Sequence, residues 1–476
     1  VLRPYQAHQY GEVRAVYRDG YRRVLLVAPT GSGKTVVFAH AAARAEARGS
    51  IVVIGVHRIE LLDQTIEKLR DCGIDCGVIA AGQPENYACR VQVALIPTLV
   101  QRIKKRGQFE NIADLVIADE AHHCVAKTWL ATIPKVLSRN GYLLGVTATP
   151  ERLDGRGLGE IFDVMVEGVD YDELYAGGYL VKPVTFAPEF KIDLSSIQQK
   201  YGDYDPSQLA AVMMDGRLIG DAIDHYRRLC NGGRALVYCC SIAHSEKTAA
   251  AFREVGFSAR HVDGNTPAAE RRAAAAGLAD GTLRVLCNVS LYGEGVDLPA
   301  LEAIISLRPT RSRAWYRQMC GRVVRPMAGK CQPMILDHAG NVFRLGLFDA
   351  PMRWSLNGKR RLAPQSEDAP VKHCQACGAV NPLAVQVCGN CGEPLVIGGR
   401  GPPEEVPGEL AAIDNELVEK LRQMAFREVC RWAGGDLARL RQVQIAKGYQ
   451  PGWIHKQWID WFRGGSNGGH RSGGDR

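Results

Sequence analysis

The chain has 476 residues, 46% of them hydrophobic and 23% charged, with a formal net charge of +8. That length is too great for one core and predicts about three domains, while the composition is that of an ordinary globular protein. No apolar run approaches the roughly 18 residues of a membrane helix and no signal peptide is read at Val1, so a cytoplasmic protein with no membrane partner is expected; the mild positive excess permits a polyanionic partner.

Val24 to Ala28 is a short apolar run that feeds Ala28-Pro29-Thr30-Gly31-Ser32-Gly33-Lys34-Thr35, after which Thr35 to Ala47 reads as a helix. This is a phosphate loop that departs from the strict form only at Ala28. Gly31 and Gly33 let backbone N–H groups turn toward phosphates, with Thr30 and Ser32 between and before them. Lys34 reaches the β and γ oxygens, and Thr35 holds Mg²⁺ through its hydroxyl. The strand–loop–helix context is the one such a loop requires, and it predicts bound ATP with Mg²⁺.

Ile51 to Val56, Val91 to Ile96, Leu115 to Ala118 and Tyr142 to Val146 are further short runs separated by helical patterns, the signature of a parallel sheet covered on both faces. The run ending at Ala118 is followed by Asp119-Glu120-Ala121-His122. Asp119 is assigned to the metal through water and Glu120 to the attacking water; alone, such a pair would be a solvated loop, but here it shares a domain with Lys34.

The segment from Pro183 to about Arg234 joins this domain to a second α/β series: Leu236 to Cys240, Ala259 to Val262, Val285 to Cys287, Ala303 to Leu307 and Met334 to Asp337. Within the joining segment, Tyr201 to Pro206 reads as a loop. Gln318-Met319-Cys320-Gly321-Arg322-Val323-Val324-Arg325 places two arginines at i and i+3, a spacing that can bring both to one γ-phosphate. Arg308, Arg311, Arg313 and Arg317 crowd the same stretch, and contact with nucleic acid or with water is equally open for these four. Cys239, Cys240 and Cys287 lie in apolar runs and are expected as buried thiols.

After about Asp349 the alternation stops. Cys374, Cys377, Cys388 and Cys391 form two C-x₂-C pairs with ten residues between them, each pair followed by a glycine. Four thiolates at this spacing close a tetrahedral Zn²⁺ shell with no open position, so the zinc is expected to be structural. A linker from Gly398 to Gly408 leads to a helical region whose later part is basic. Its Trp453, Trp458 and Trp461 can stack on bases or form a small core, and core is favoured. The Gly/Ser-rich end is expected to be disordered.

Taken together, these motifs resemble those of superfamily two helicases and translocases of the Asp-Glu-Ala-His type over about the first 340 residues. The resemblance implies two tandem RecA-like parallel-sheet domains, over 1–185 and 186–350, followed by a zinc ribbon at 370–396, a helical module at 405–463 and a tail at 464–476. It implies an adenine-reading Gln6 in Leu2-Arg3-Pro4-Tyr5-Gln6 and backbone contacts to nucleic acid from His57, Arg58 and Thr98. Coupling of hydrolysis to domain closure is assigned to His122, Thr147 and Thr149, nucleotide binding to Gly295 and Asp297 with Asp297 on the ribose, and catalysis to Gln318, Arg322 and Arg325 beside Lys34, Asp119 and Glu120. The opening Leu-Arg-Pro-Tyr-Gln, Leu307-Arg308-Pro309-Thr310 and Leu336-Asp337-His338-Ala339-Gly340-Asn341 resemble the RadD-like group of DNA-repair helicases and their phage-borne relatives. The implied activity is an ATP-dependent DNA helicase or translocase in repair, recombination or phage replication, with a protein partner open for the C-terminal region. An RNA helicase of related build and a non-hydrolysing scaffold are the alternatives.

Overall fold

The computed structural model describes residues 2–150, 157–188, 192, 194–200, 202–214, 216–292, 298, 300–330, 332–358, 370–395, 420–433, 439, 443 and 447. The chain divides into two compact units, Val1–Ile397 and Gly398–Arg476.

The first unit holds two parallel sheets. In the first lobe seven strands, β1 (Arg23–Val27), β2 (Val52–Val56), β3 (Cys76–Ile79), β4 (Val91–Leu95), β5 (Ala113–Asp119), β6 (Leu137–Thr147) and β7 (Val164–Glu167), lie in the order β3-β4-β2-β5-β6-β1-β7. Every pairing is parallel. Parallel strands covered by helices must be apolar on both faces, which is why β1 and β2 are unbroken runs with almost no exposed residue. The two faces form separate cores, one around Phe38, Ile54 and Leu62, the other around Trp129, Phe162 and Ile103.

The second lobe begins earlier in the chain than its apolar runs suggest. Its edge strand β8 (Val184–Phe186) pairs in parallel with β15 (Met334–Leu336), so residues just after the first sheet already belong to the second. A small hairpin follows, β9 (Gln199–Lys200) with β10 (Asp203–Tyr204), in the segment expected to be a loop. Gly202, at φ 86°, turns it, and Asp205 caps the helix Pro206–Met213 through the N–H groups of Ser207 and Gln208. The hairpin is held down by Asp203, which accepts from Thr310 Oγ1 and from the Arg311 N–H, both at 2.7 Å. With β11 (Ala235–Tyr238), β12 (Ala259–Val262), β13 (Val285–Asn288) and β14 (Ala303–Ser306), the sheet order is β12-β13-β11-β14-β15-β8. Cys239, Cys240 and Cys287 are buried thiols, as their apolar surroundings predict.

Past the second sheet the chain does not simply leave. Residues 347–358 form a strap that runs back to the first lobe, where Trp354 and Leu356 pack on the core containing Leu158, Ile161 and Phe162. The Leu356 carbonyl accepts the Gly159 N–H at 2.9 Å.

The four-cysteine segment then forms β16 (Val371–His373) and β17 (Val380–Pro382), antiparallel to one another. It seats on the outer edge of β8 through a bridge between Phe186 and Ala379 and a hydrogen bond between His373 Nε2 and the Ala187 carbonyl at 3.1 Å. A sheet edge is a row of unpaired N–H and C=O groups, and the ribbon covers this one. Val184 and Phe186 pack against Cys374, Ala379, Cys388 and Leu395.

In the second unit the described residues include the helix Phe426–Ala433 and a small cluster of Leu421, Val429 and Val443 with Met424 and Trp432 beside it. Trp453, Trp458, Trp461, the linker from Gly398 to Gly408 and the Gly/Ser-rich tail lie outside the described residues, as do Gly295 and Asp297. Among the described residues no helix is long and apolar enough to cross a membrane.

Candidate functional site

Strand β1 ends in the phosphate loop, and the helix Lys34–Glu46 starts from it with Gly33 at φ 79°. Gly31 is at φ 90°, so both glycines occupy the left-handed region that a Cβ disfavours, and the loop can curl around a small anion at a helix N-terminus. Space also demands them. A Cβ on Gly33 would lie 2.5 Å from Gln6 Nε2, and one on Gly31 would meet Leu180 at 3.0 Å and Val324 at 3.7 Å. Gln6 is buried against the loop, donating from Nε2 to the Ser32 carbonyl at 3.2 Å while its Oε1 accepts from the Arg3 N–H at 3.0 Å. Tyr5, which carried no sequence expectation of its own, donates to the same Ser32 carbonyl at 2.8 Å.

Lys34 Nζ donates to the carbonyls of Ala28 and Pro29 at 3.1 and 3.2 Å. Burial pushes its ammonium below the ordinary lysine value; Glu120 and Asp119 act against that, and Arg322 and Arg325 add to it. The four other charged groups named from sequence therefore all lie within electrostatic reach of Lys34. They come from opposite lobes.

Asp119 ends β5 and is 6% exposed. Burial, then the Glu120 charge, pushes its carboxyl up to about 7 against the pull of Lys34. A buried carboxyl pushed up beside a second carboxylate calls for a cation, and a divalent ion would return Asp119 to the charged form. Glu120 has φ 48° and ψ 56°, an unusual conformation for a non-glycine residue, and opens the short 3₁₀ turn Ala121–Val125. From that turn His122 Nδ1 stands 3.1 Å from Thr147 Oγ1 and 3.4 Å from Glu120 Oε2. Thr147 Oγ1 in turn donates to the Thr149 carbonyl at 3.0 Å. The acidic pair is thus tied through one imidazole to the Thr147-Ala148-Thr149 segment.

From the second lobe, the helix Arg313–Cys320 and the turn after it bring Gln318, Arg322 and Arg325 to the cleft. Contact with the phosphate loop is direct: a Cβ on Gly321 would lie 2.7 Å from the Thr30 Cβ. Ser32 Oγ, Thr149 Oγ1 and Gln318 Nε2 are buried without a hydrogen-bond partner, and Glu120 Oε2 accepts no hydrogen bond either. Buried polar atoms are nearly always satisfied, so this concentration of unmet atoms on the segments around Lys34 fits a polyphosphate with its metal.

The residues expected on nucleic acid are more scattered. The His57 ring packs at a tilt on His123 with centroids 4.1 Å apart, and His123 likewise on His122 at 4.2 Å, so His57 belongs to the rim of the acidic pair. Arg58 reaches across the cleft to the Leu291 carbonyl at 3.5 Å, beside an ion pair between Glu60 and Arg271 at 2.9 Å that also joins the lobes. Thr98 lies half-buried in the first turn of the helix Ile96–Arg106.

The four cysteines converge. Their Sγ atoms all lie within 4.8 Å of one another, with Cys374–Cys391 at 3.6 Å and Cys377–Cys388 at 3.7 Å. Zn–S bonds of about 2.3 Å in a tetrahedron give S···S edges of about 3.8 Å, so the set fits zinc. Burial works against the Cys388 thiolate, yet the N–H groups of Cys391 and Asn390 and the Asn381 amide bring its thiol down to about 6. Asn390 Nδ2 also donates to Cys377 Sγ at 3.4 Å. Such N–H···S contacts are what a thiolate shell needs around it.

Comparison with known proteins agrees with this geometry. Residues 1–152 match the family described as Type III restriction enzyme, res subunit, and residues 221–327 the helicase conserved C-terminal domain. A 51.5 kDa protein of Lactococcus phage (isolate 7-9) is 30% identical over 431 residues, covering 89% of this chain and 88% of that protein. IRC3 of Saccharomyces cerevisiae, named as an ATP-dependent helicase, is 28% identical over 79% of this chain and 56% of its own length. The DNA 3'-5' translocase XPB2 of Sulfurisphaera tokodaii is 32% identical over 38% of each chain. Among solved structures, the ATP-dependent Type ISP restriction-modification enzyme LlaBIII bound to DNA superposes with a TM-score of 0.54 at 21% identity, over 71% of this chain and 27% of that one, a likeness of fold.

The fold and the cleft are those of two RecA-like lobes, and the chain belongs to the superfamily two helicases. It is an ATP-hydrolysing motor that acts on nucleic acid.

Proposed function

We propose that the chain is a DNA helicase or translocase of the Asp-Glu-Ala-His type, in the RadD-like group, serving DNA repair, recombination or phage replication. The observation that carries the motor reading is the cross-lobe site, with Gly321 against Thr30 and both arginines in the field of Lys34. The preference for DNA over RNA rests on a relative named a DNA 3'-5' translocase. The link from His122 to Thr147 supports the Asp-Glu-Ala-His reading, because it gives that histidine a task between the acidic pair and the closing segment.

In this reading Lys34 and the loop N–H groups bind the β and γ phosphates, and Thr35 and Asp119 hold Mg²⁺. Glu120 takes the proton of the attacking water, and Arg322 and Arg325 meet the charge that builds on the departing phosphate. Gln318 orients the site from the second lobe, Gln6 reads the adenine edge once released from Ser32, and Gly295 and Asp297 bind the nucleotide with Asp297 on the ribose. His57, Arg58 and Thr98 line the strand path. Cys374, Cys377, Cys388 and Cys391 hold one structural Zn²⁺, and the C-terminal unit adds DNA or protein contacts. The test is ATP turnover with single-stranded DNA, duplex DNA, forked DNA and RNA. Stimulation by DNA above RNA supports the reading, stimulation by RNA alone points to an RNA helicase, and no turnover with any of them points to a scaffold.

A further inference from the structure

The helix that brings Gln318 to the cleft carries a buried arginine that the nucleotide site does not use. Arg317 is 7% exposed. Its Nη1 donates to the Ala350 carbonyl at 2.9 Å, and its guanidinium carbon lies 5.5 Å from the centre of the Tyr171 ring and 5.8 Å from that of Trp354. Ala350 and Trp354 belong to the strap, so a single planar group joins the arginine helix to the segment that returns to the first lobe.

Both ends of that strap are seated. At the near end Tyr175 donates to Asp349 Oδ2 at 3.1 Å and Phe348 packs edge-on to Tyr171 at 5.3 Å. At the far end Trp354 and Leu356 sit in the first lobe's core, and Gly157 has no room for a Cβ against the Leu356 carbonyl. Arg317 is also joined to the phosphate loop itself. The Thr30 backbone N–H eases the upward push of burial on the Tyr171 hydroxyl, which places the two near one another. Gly321, whose N–H donates to the Arg317 carbonyl at 2.9 Å, packs on the same Thr30. The glycine one helical turn beyond Arg317 is therefore packed directly on the phosphate loop.

We propose that Arg317 is a positioning residue for ATP hydrolysis: by clamping the strap and Tyr171 together it sets where Arg322 and Arg325 stand relative to the phosphate loop. The inference rests on reading those two arginines as the groups that meet the γ-phosphate. A guanidinium suits this place because it can lie against both rings while donating in its own plane; a lysine keeps the charge but has neither plane nor fork. Burying a cation is costly, and a buried charge kept in place is well suited to fixing one geometry over others. Displacing catalytic groups by about 1 Å can cost about a hundredfold in rate, whereas Arg317 leaves the nucleotide's own contacts in the first lobe untouched.

The experiment measures kcat and KM for ATP in the full chain and in Arg317→Lys, Trp354→Ala and Arg322→Ala, with nucleotide-binding stoichiometry recorded for each. Arg317→Lys should lower kcat about tenfold or more with KM changed less than about threefold and stoichiometry intact. Trp354→Ala should show the same split to a smaller degree, and adding it to Arg317→Lys should cost little more. The proposal is overturned if both variants turn over within about twofold of the parent, or if activity falls only in step with lost binding sites. Parent-like turnover by Arg322→Ala would instead remove the arginine reading on which the proposal stands.

Discussion

Glu120 holds a left-handed backbone that costs a non-glycine residue of order 1 kcal/mol or more, and it does so beside the buried Asp119. Strain kept at such a place is consistent with a carboxylate aimed at a reacting water. Glu120→Gln is expected to lower turnover at least about a hundredfold while ATP still binds, because the shape is kept and only the proton acceptor is lost. Rapid-mixing hydrolysis alongside equilibrium nucleotide binding checks it, and parent-like turnover would remove Glu120 from its role. Lys34→Ala should abolish turnover and weaken binding together, since it removes a phosphate contact. Gly321→Ala separates packing from chemistry: its new Cβ would press on Thr30 at 2.7 Å, so the arginine turn must move off the loop. A clear fall in kcat with little change in thermal midpoint is expected, and unchanged kcat would show that the two lobes need not meet at Thr30.

At the scale of elements, what could be read in advance depended on how much of an element's logic is local. β1, the phosphate loop and its helix were legible because each residue there answers a local demand, apolar burial on two faces or a left-handed glycine. The cysteine pairs were legible for the same reason. By contrast β3, β7 and β8 are three or four residues long and owe their strand form to the neighbours they pair with. β8 shows the consequence, since Val184–Phe186 follows the first sheet in sequence yet completes the second in space. Arg317 looked like its neighbouring arginines, and only the return of the strap singles it out; the strap has no period or motif, because its partners are carbonyls and rings far away in the chain. The ribbon's position gives an element-scale prediction. Freshly prepared, reduced protein should contain one zinc per chain, lost on Cys374→Ser with Cys391→Ser. Because Val184 and Phe186 pack on the cysteine cluster, metal loss should also lower the thermal midpoint and raise binding of a hydrophobic dye. Zinc-free protein with an unchanged midpoint would show that the ribbon closes without metal.

At the scale of the molecule, the contacts that join the lobes among the described residues include the ion pair between Glu60 and Arg271, the hydrogen bond from Arg58 to the Leu291 carbonyl, the packing of Gly321 on Thr30, and the strap. A nucleotide bound in the cleft adds one that appears with ATP and disappears with its hydrolysis, which is how chemistry in a split site becomes motion. A motor on DNA must also hold phosphates, so its affinity should fall steeply with salt, and each lost phosphate contact should flatten that slope. The most direct test of the account is displacement of a triplex-forming oligonucleotide from duplex DNA, which requires travel along the DNA whether or not strands separate. The account predicts displacement by the parent chain with ATP and Mg²⁺, none with a non-hydrolysable ATP analogue, and none by Glu120→Gln. DNA-stimulated hydrolysis without displacement, on this substrate and on forked DNA alike, would contradict it.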